Sequence, residues 1–189
     1  TISDAELEEK LARIEDPRVR AMILFGRRLG LRFKEAALFR PGHDFDGTRV
    51  WVKRGTKGGR PRYLFIHDAR QVAAIEEARK LTSHDSGLIP AEYPTFEKWR
   101  QYVYGVLRAA GISRESDVIF HDLRRSYLTE RMGHLVKMRR LRPKDAARIV
   151  AKNRNPVRAM RLRRFATTEP AKTRLRNRST SSMGEVLRR

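Results

Sequence analysis

The stretch VIFHDLRRSYLT, residues 118–129, is the part of the sequence around which the predicted fold is organised. An apolar triplet leads into His121, Arg124 follows three residues later, and apolar residues then continue at helical spacing. Positions three apart share one face of an α-helix, so His121 and Arg124 are predicted to point the same way while the apolar residues hold the helix against a core. The predicted apolar face comprises Leu123, Tyr127, Leu128 and Met132.

His121 and Arg124 are suited in type to chemistry on phosphate groups. An imidazole can exchange a proton near neutral pH, and a guanidinium can donate two parallel hydrogen bonds to phosphate oxygens. The alternative is that His121 caps the start of a helix and Arg124 lies on a solvated face. The tetrapeptide alone favours this alternative, so the rest of the chain has to decide between the two.

The charge of the chain indicates a polyanionic partner. Its 189 residues include 43 Lys and Arg against 22 Asp and Glu, a formal net charge of +21. Such an excess argues against an ordinary enzyme of small neutral substrates and favours nucleic acid over an anionic membrane as the partner. The absence of cysteine excludes disulfides and Cys-ligated zinc, and no apolar run is long enough to span a bilayer. We expect a cytoplasmic, nucleoid-associated protein. Because the sequence starts at Thr1 rather than Met, we also expect a fragment or a processed product, and the sequence leaves open whether a domain precedes it.

The periodicity of the chain predicts a mainly α-helical domain with a small antiparallel β-sheet. Apolar residues recur at helical spacing through most of the sequence, whereas residues 48–52 and 62–66 alternate as strands do. Helices are predicted at about 4–14, 18–29, 31–38, 68–81, 95–110, 120–132, 144–152 and 157–165. We expect one domain over residues 1–166 and a basic C-terminal tail over residues 167–189, which lacks a core pattern.

Clustered cations mark the surfaces that are expected to contact DNA. Five Lys and Arg residues lie between Lys53 and Arg62, in a glycine-rich hairpin whose backbone can approach a ligand closely. The alternative is a solvated turn that protects the edge of the sheet. The run from 148 to 164 is also rich in Arg, and such cations repel one another unless an anion binds. The residues assigned to DNA contact are Lys53, Arg54, Arg60, Arg62, Arg125, Arg154, Arg158 and Arg161.

Four spaced features together resemble the catalytic domain of tyrosine recombinases, the phage-integrase family. Residues 29–36 (LGLRFKEA) are similar to the family motif with its first catalytic Arg, and residues 56–62 (TKGGRPR) are similar to its hairpin with the catalytic Lys. Residues 121–124 resemble its His-x-x-Arg box. Residues 147–166 correspond to the region where the family has a Leu-Gly-His turn and, nine residues on, a Tyr nucleophile. The resemblance covers about residues 17–166.

The distal segment departs from the family pattern at two places. Residues 154–156 read Arg-Asn-Pro where Leu-Gly-His is expected, so the family's second His is absent. Phe165 occupies the position of the nucleophile, and all five Tyr residues lie upstream of it. One explanation is that the natural residue is Tyr, which has been replaced by Phe to stop the reaction on bound DNA. The other is that the protein is a naturally inactive relative. The sequence leaves both explanations open.

The resemblance implies cleavage and rejoining of DNA through a 3′-phosphotyrosine intermediate. The implied catalytic residues are Arg32, Lys57, His121, Arg124 and Phe165. The two Arg side chains would hold the oxygens of the scissile phosphate, and the His would act as acid or base. The Lys, with Lys53 as the runner-up, would protonate the leaving 5′-oxygen, and Phe165 would mark the place of the nucleophile. No metal or other cofactor is implied, since the Arg pair takes the place of a metal. Arg32 could instead simply pair with Glu35 on its own helix.

The implied partners are double-stranded DNA and further copies of the same chain. Members of the family usually act as DNA-bound tetramers that exchange a C-terminal segment, and the basic tail is expected to serve in this way. Two alternatives remain beside a recombinase or integrase: a catalytically inactive DNA-binding protein on the same fold, and a basic RNA-binding protein with accidental motif matches. Neither a membrane nor a small-molecule cofactor is expected as a partner.

Overall fold

The computed structural model describes residues 2–116 and 118–152. Within these ranges the chain forms seven α-helices and a two-stranded antiparallel sheet, which confirms the predicted fold class. The helices are α1 (Asp4–Ala12), α2 (Pro17–Leu24), α3 (Phe33–Leu38), α4 (Ala69–Arg79), α5 (Phe96–Ala109), α6 (Phe120–Lys137) and α7 (Pro143–Lys152), and the strands are β1 (Arg49–Val52) and β2 (Arg62–Phe65). The predictions for Arg154, Arg158, Arg161, Phe165, the helix at 157–165, the domain boundary at 166 and the tail lie outside the described residues.

Local sequence signals determine where the first helices begin. The Ser3 hydroxyl accepts a hydrogen bond from the backbone N–H of Glu6 at the start of α1 (3.2 Å). The Asp16 carboxylate accepts one from the N–H of Arg18 (2.8 Å), and Pro17 occupies the first position of α2. Both arrangements satisfy backbone donors that have no partner inside the helix. Helix α1 ends two residues before the predicted end.

The chain after α2 differs from the prediction of one continuous α-helix. Residues Phe25–Leu29 form a π-helical turn, which Gly30 ends in the left-handed conformation (φ 64°). A Cβ atom at Gly30 would lie 2.3 Å from Cδ1 of Tyr127, so only a residue without a side chain lets the backbone pass this ring. The backbone of Arg32 is extended, and α3 therefore begins at Phe33 rather than at Leu31.

The hairpin packs one face on the core and leaves the other open to solvent. Val50 pairs with Leu64 on the buried face, whereas Trp51 and Tyr63 stack on the outer face with ring centroids 5.8 Å apart. A Cβ atom at Gly55 would lie 2.8 Å from the backbone carbonyl carbon of Lys34. The first arm of the hairpin therefore lies directly against the start of α3.

Helix α6 packs against the π-helical turn and anchors the domain. Leu123 and Tyr127 are buried as predicted, but Met132 is 36% exposed, so the prediction that it belongs to the apolar face is wrong. The interior face of α6 instead includes Ser126 and Arg131. Ser126 is buried because its hydroxyl accepts a hydrogen bond from the backbone N–H of residue 2, at 2.9 Å. Among the described helices, none combines the length and the apolar character needed to cross a bilayer.

Candidate functional site

Arg32, His121 and Arg124 line one open cavity of about 460 Å³. Arg32 precedes α3, whereas His121 and Arg124 lie on the first two turns of α6. The cavity is closed on another side by α5, which contributes Tyr104 and Arg108. Three side chains assigned from the sequence to phosphate chemistry thus meet at one place although they come from distant parts of the chain. We call this space the Arg32 cavity.

An aromatic cluster holds the walls of the Arg32 cavity together. Phe33 stacks on Tyr104 of α5 with ring centroids 4.9 Å apart and an interplanar angle of 3°. Phe33 also meets Phe120 of α6 edge to face at 5.2 Å. Because these rings flank Arg32 and His121 in sequence, their packing fixes the backbone from which both functional side chains extend.

Glu35, on α3, is fully buried and joins two arginines beneath the cavity. Its carboxylate accepts two hydrogen bonds from Arg62 of β2, both 2.6 Å long, in a bidentate arrangement. It accepts two more from Arg32, one from the backbone N–H (2.9 Å) and one from the guanidinium (3.0 Å). Burial alone would raise the pKa of Glu35, but the hydrogen bonds from Arg62 and Arg32 outweigh it and lower the pKa below its ordinary value.

The pairing of Arg32 with Glu35 does not remove Arg32 from the cavity. The side chain of Arg32 remains 42% exposed, and only one of its terminal nitrogens contacts the carboxylate. Arg32 therefore pairs with Glu35 and also lines the cavity, so the two alternatives do not exclude each other. Glu35 orients Arg32 and leaves part of its guanidinium open to a ligand.

Arg124 is held at the cavity by a neutral acceptor, since its guanidinium donates to the backbone carbonyl of Gly30. Burial, followed by the positive charges of Arg32 and Arg62, lowers the pKa of Arg124 to about 10. Within the described part of the chain, three guanidinium groups therefore lie close together around the carboxylate of Glu35. A bound anion would relieve this repulsion, so the electrostatics of the cavity favour a negatively charged ligand.

The basic residues of the hairpin divide into an engaged group and an exposed group. Arg62 is turned inward to Glu35, and Arg54 contacts the buried carboxylate of Asp44 at 2.9 Å. The ammonium group of Lys53 also lies near Asp44, at 3.7 Å. Lys57, in a 3₁₀ turn formed by residues 57–59, is exposed at the hairpin tip and does not line the Arg32 cavity.

Two further residues assigned to DNA contact are open to solvent. Arg60 is exposed beside the hairpin tip. Arg125 on α6 is also exposed, with its guanidinium 3.6 Å from the carboxylate of Asp122. Both side chains can reach a partner without breaking a buried interaction.

Sequence reasoning missed two carboxylates that organise these cations. Glu35 was considered only as a partner of Arg32, because helical spacing reveals i,i+3 neighbours but not a bond to a strand 27 residues away. Asp44 lies in a loop and carries no motif, yet it contacts side chains on both sides of it, Arg40 and Arg54. Over the ranges described, no group of three or more His, Asp or Glu side chains is arranged to hold a metal ion.

Comparison with known proteins gives a family match and a distant structural likeness. A family model described as Integrase matches residues 1–130. The structure of XerH site-specific recombinase bound to difH substrate, a pre-cleavage complex, is similar over 88% of this chain and 52% of that chain, with 18% identity and a TM-score of 0.46. The chain thus spans about half the length of that recombinase. No curated protein gives a significant match.

Proposed function

This chain belongs to the integrase family of tyrosine recombinases, and we propose that it is the DNA-binding catalytic domain of a site-specific recombinase. The observation that carries the proposal is the meeting of Arg32, His121 and Arg124 at one cavity with an excess of positive charge. A phosphodiester of duplex DNA is the ligand that matches this charge and these donors.

In the proposed reaction the two arginines hold the phosphate and stabilise the added negative charge of the transition state. Arg32 offers the part of its guanidinium that Glu35 leaves free, and Arg124 offers the nitrogens not used by the Gly30 carbonyl. Fixed guanidinium donors stabilise developing charge on the non-bridging oxygens without reorganising. We assign to His121, at the start of α6, a hydrogen bond to the same phosphate, and the helix N-terminus adds to the attraction.

We assign the proton for the leaving group to Lys57. In a chain with Tyr at position 165, the Tyr hydroxyl passes its proton to His121 as its oxygen bonds to phosphorus. The bond from phosphorus to the 5′-oxygen breaks, and the 5′-oxygen takes a proton from the Lys57 ammonium. Lys57 lies outside the cavity, so the hairpin tip has to bend toward bound DNA. Gly58 and Gly59 have positive φ angles and open space around them, whereas the hairpin arm is fixed by its contact with α3 at Gly55. The proposed movement is therefore confined to the tip.

Phe165 stands in the sequence where the resemblance places the nucleophile, and a phenyl ring has no oxygen to attack phosphorus. This observation favours a second candidate function, a catalytically inactive DNA-binding protein on the same fold. Both candidates share the phosphate contacts of Arg32 and Arg124, and they differ only in strand cleavage.

The shared part of the proposal is tested by DNA affinity. Fluorescence anisotropy with a labelled duplex would compare the parent chain with Arg32→Ala and Arg124→Ala. Each charged hydrogen bond to phosphate is worth about 1.5–3 kcal/mol, so each variant should bind at least about tenfold more weakly. The slope of log affinity against log salt should fall by about 0.9 for each lost contact. Arg13→Ala, which removes an exposed cation of the first helical region, is the matched control and should change affinity less than about twofold.

If the control and the two cavity variants lose equal affinity, the cations act only through net charge and the cavity is not the DNA site. A structured RNA of the same length should bind more weakly than the duplex. Preference for the RNA would favour the alternative of an RNA-binding protein.

Strand cleavage separates the two candidates. A nicked duplex, carrying a sequence selected for binding, would trap a covalent protein–DNA adduct after a single cleavage. Phe165→Tyr should form this adduct, and the same variant with Arg124→Ala should not. If Phe165→Tyr binds the duplex but forms no adduct, the inactive DNA-binding protein is the better description.

We further propose that copies of the chain assemble on DNA through the segment at 167–189. Deletion of residues 170–189 should weaken assembly of several copies on one duplex more than it weakens binding of a single copy. Mass photometry with short and long duplexes measures both. If the deletion weakens assembly and single-copy binding equally, the segment acts only as a DNA-binding extension. We also propose that the protein is located with the nucleoid in the cytoplasm.

A further inference from the structure

A second cavity, of about 270 Å³, lies where the π-helical turn, the start of α4 and the middle of α6 meet. The π-helical turn contributes Arg27 and Arg28, and the start of α4 contributes Arg70. Helix α6 contributes Tyr127 and Arg131. We call this space the Arg131 cavity. It shares no lining residue with the Arg32 cavity.

The arginines of the Arg131 cavity differ in how they are neutralised. Arg27 contacts Glu130 and, at 2.8 Å, Asp4. Arg28 and Arg70 also contact Asp4, at 2.9 Å and 2.8 Å. These three cations therefore have carboxylate partners.

Arg131 is the exception. It is only 8% exposed, and its guanidinium makes no ion pair or hydrogen bond with any residue in the described part of the chain. Its side chain opens into the cavity. Such a cation is costly, because it has lost most of its hydration and gained no counter-charge. An anionic ligand in the cavity would supply the missing partner.

One neighbouring histidine, His67, responds to the positive charge of Arg131. Burial, followed by the positive charge of Arg131, lowers the pKa of His67 to about 4. The His67 ring lies 6.3 Å from the ring of His134, measured between centroids. The cavity thus disfavours the charged form of His67, although the carboxylates of Asp68 and Glu130 also line it.

We propose that the Arg131 cavity binds a phosphate group. The space of about 270 Å³ accommodates a phosphate together with water or with the rest of a small phosphate compound, and it lies below the cavities of about 300 Å³ and more that take drug-sized ligands. A guanidinium donates two parallel hydrogen bonds to phosphate oxygens, and Arg131 has its donors available for this. His67, His134 and Tyr127, whose side chains can donate hydrogen bonds, line the same space. Donors on two different elements suit a tetrahedral anion better than a planar carboxylate.

The phosphate can belong to DNA or to a free phosphate compound. Arg131 follows Arg124 by seven residues, which places both on one face of α6 about 10 Å apart along its axis. One bound duplex can therefore reach both cavities. The inference itself does not rest on the proposed recombinase function, because it uses none of the residues of the Arg32 cavity.

Titration with inorganic phosphate at constant ionic strength tests the inference. The Arg32→Ala/Arg124→Ala variant of the full chain serves as the parent, so that binding in the Arg32 cavity does not contribute. Isothermal titration calorimetry should detect phosphate binding to this parent, and Arg131→Leu should weaken it at least tenfold. Arg100→Leu removes an exposed cation of α5 and should leave the affinity within about twofold.

Thermal unfolding gives a second readout that a purely structural role of Arg131 would not produce. In phosphate-free buffer Arg131→Leu should raise the melting temperature by about 2 °C or more, because it removes a buried charge without a partner. Phosphate should raise the melting temperature of the parent and not that of Arg131→Leu. If Arg131→Leu does not fold, Arg131→Lys keeps the charge, loses the paired donors, and should bind phosphate at least threefold more weakly.

Equal phosphate affinity of the parent and the Arg131 variants would overturn the inference, as would a parent that binds no phosphate. Once binding is established, DNA titrations with the full chain identify the source of the phosphate. If the phosphate belongs to DNA, Arg131→Leu should lower the salt slope of DNA affinity by about 0.9. An unchanged slope together with lost binding of inorganic phosphate identifies a free phosphate compound as the ligand.

Discussion

Replacement of Glu35 by Gln removes the carboxylate that joins Arg32 to Arg62 and keeps the shape of the side chain. Glu35 is fully buried and accepts four hydrogen bonds, two from each arginine. A Gln amide offers one oxygen as an acceptor and presents an NH₂ group to donors that it cannot satisfy. The substitution therefore breaks the bidentate contact with Arg62 and removes the negative charge that Arg32 and Arg62 share.

The geometry allows the loss of stability to be estimated. About two of the four hydrogen bonds are lost, and hydrogen bonds to charged groups contribute about 1.5–3 kcal/mol each, which gives about 3–6 kcal/mol. Arg32 can return to water because its side chain is 42% exposed, so its share is small. Arg62 is mostly buried and cannot do so fully. We therefore expect the free energy of unfolding to fall by about 3 kcal/mol, in line with the cost of removing one partner of a buried ion pair.

The same contact makes stability depend on pH. The pKa of Glu35 is lower in the folded protein than its ordinary value of 4.5, so the unfolded chain binds a proton first as the pH falls. The stabilising contribution is complete above the ordinary value and is lost as the pH falls from 4.5 through the folded-state pKa. Glu35→Gln has no such group, so this part of the acid destabilisation should be absent from the variant.

Urea unfolding followed by circular dichroism, at pH 7 and at pH 4, measures both effects. Glu9→Gln is the matched control, since Glu9 forms an exposed ion pair with Arg13 on the surface. The control should lose less than about 1 kcal/mol and keep the acid dependence of the parent. A loss below about 1 kcal/mol for Glu35→Gln at pH 7 would refute the view that this carboxylate holds the two arginines.

Two further predictions concern the backbone and the hairpin. Gly30→Ala should lower the free energy of unfolding by about 3 kcal/mol or more, because φ is 64° and a Cβ would lie 2.3 Å from the Tyr127 ring. The control Gly47→Ala, with φ 89° and nothing within 4 Å of its Cβ, should cost only about 1 kcal/mol in the same urea assay. The double variant Lys57→Ala/Arg60→Ala should weaken duplex binding at least about threefold in the anisotropy assay. Its melting temperature should stay within about 1 °C of the parent's, since both side chains are exposed. A larger fall in melting temperature would show that the tip contributes to the stability of the fold.

The parts of the fold that sequence reasoning predicted well are those with local causes. Ser3 and Asp16 mark helix starts because their side chains bind backbone N–H groups two or three residues on. Gly30 ends a helical segment because it adopts a positive φ. Each signal needs only a short window of sequence, and each element was predicted to within a few residues.

The parts that escaped prediction depend on contacts between distant residues. The π-helical turn at Phe25–Leu29 cannot be recognised from the spacing of apolar residues, because a single wider turn of five residues is too short to change that spacing visibly. Met132 has the right spacing for the core, yet α6 turns Arg131 inward beside it. For the Arg32 cavity, sequence motifs indicated which cations meet, but not that Glu35 connects α3 to the hairpin.

The Arg32 cavity orients its cations without fully neutralising them, and this property follows from the choice of acceptors. Glu35 is shared between Arg32 and Arg62, so one negative charge fixes two guanidinium groups. Arg124 is oriented by the Gly30 carbonyl, which carries no net charge. A separate carboxylate for each arginine would give equal rigidity but would cancel the attraction for phosphate. The two acceptors, Gly30 and Glu35, lie at the two ends of one short segment, residues 30–35. A shift of that segment would therefore move all three cations together. The position of this segment, rather than the number of arginines, should therefore determine how tightly the cavity binds an anion.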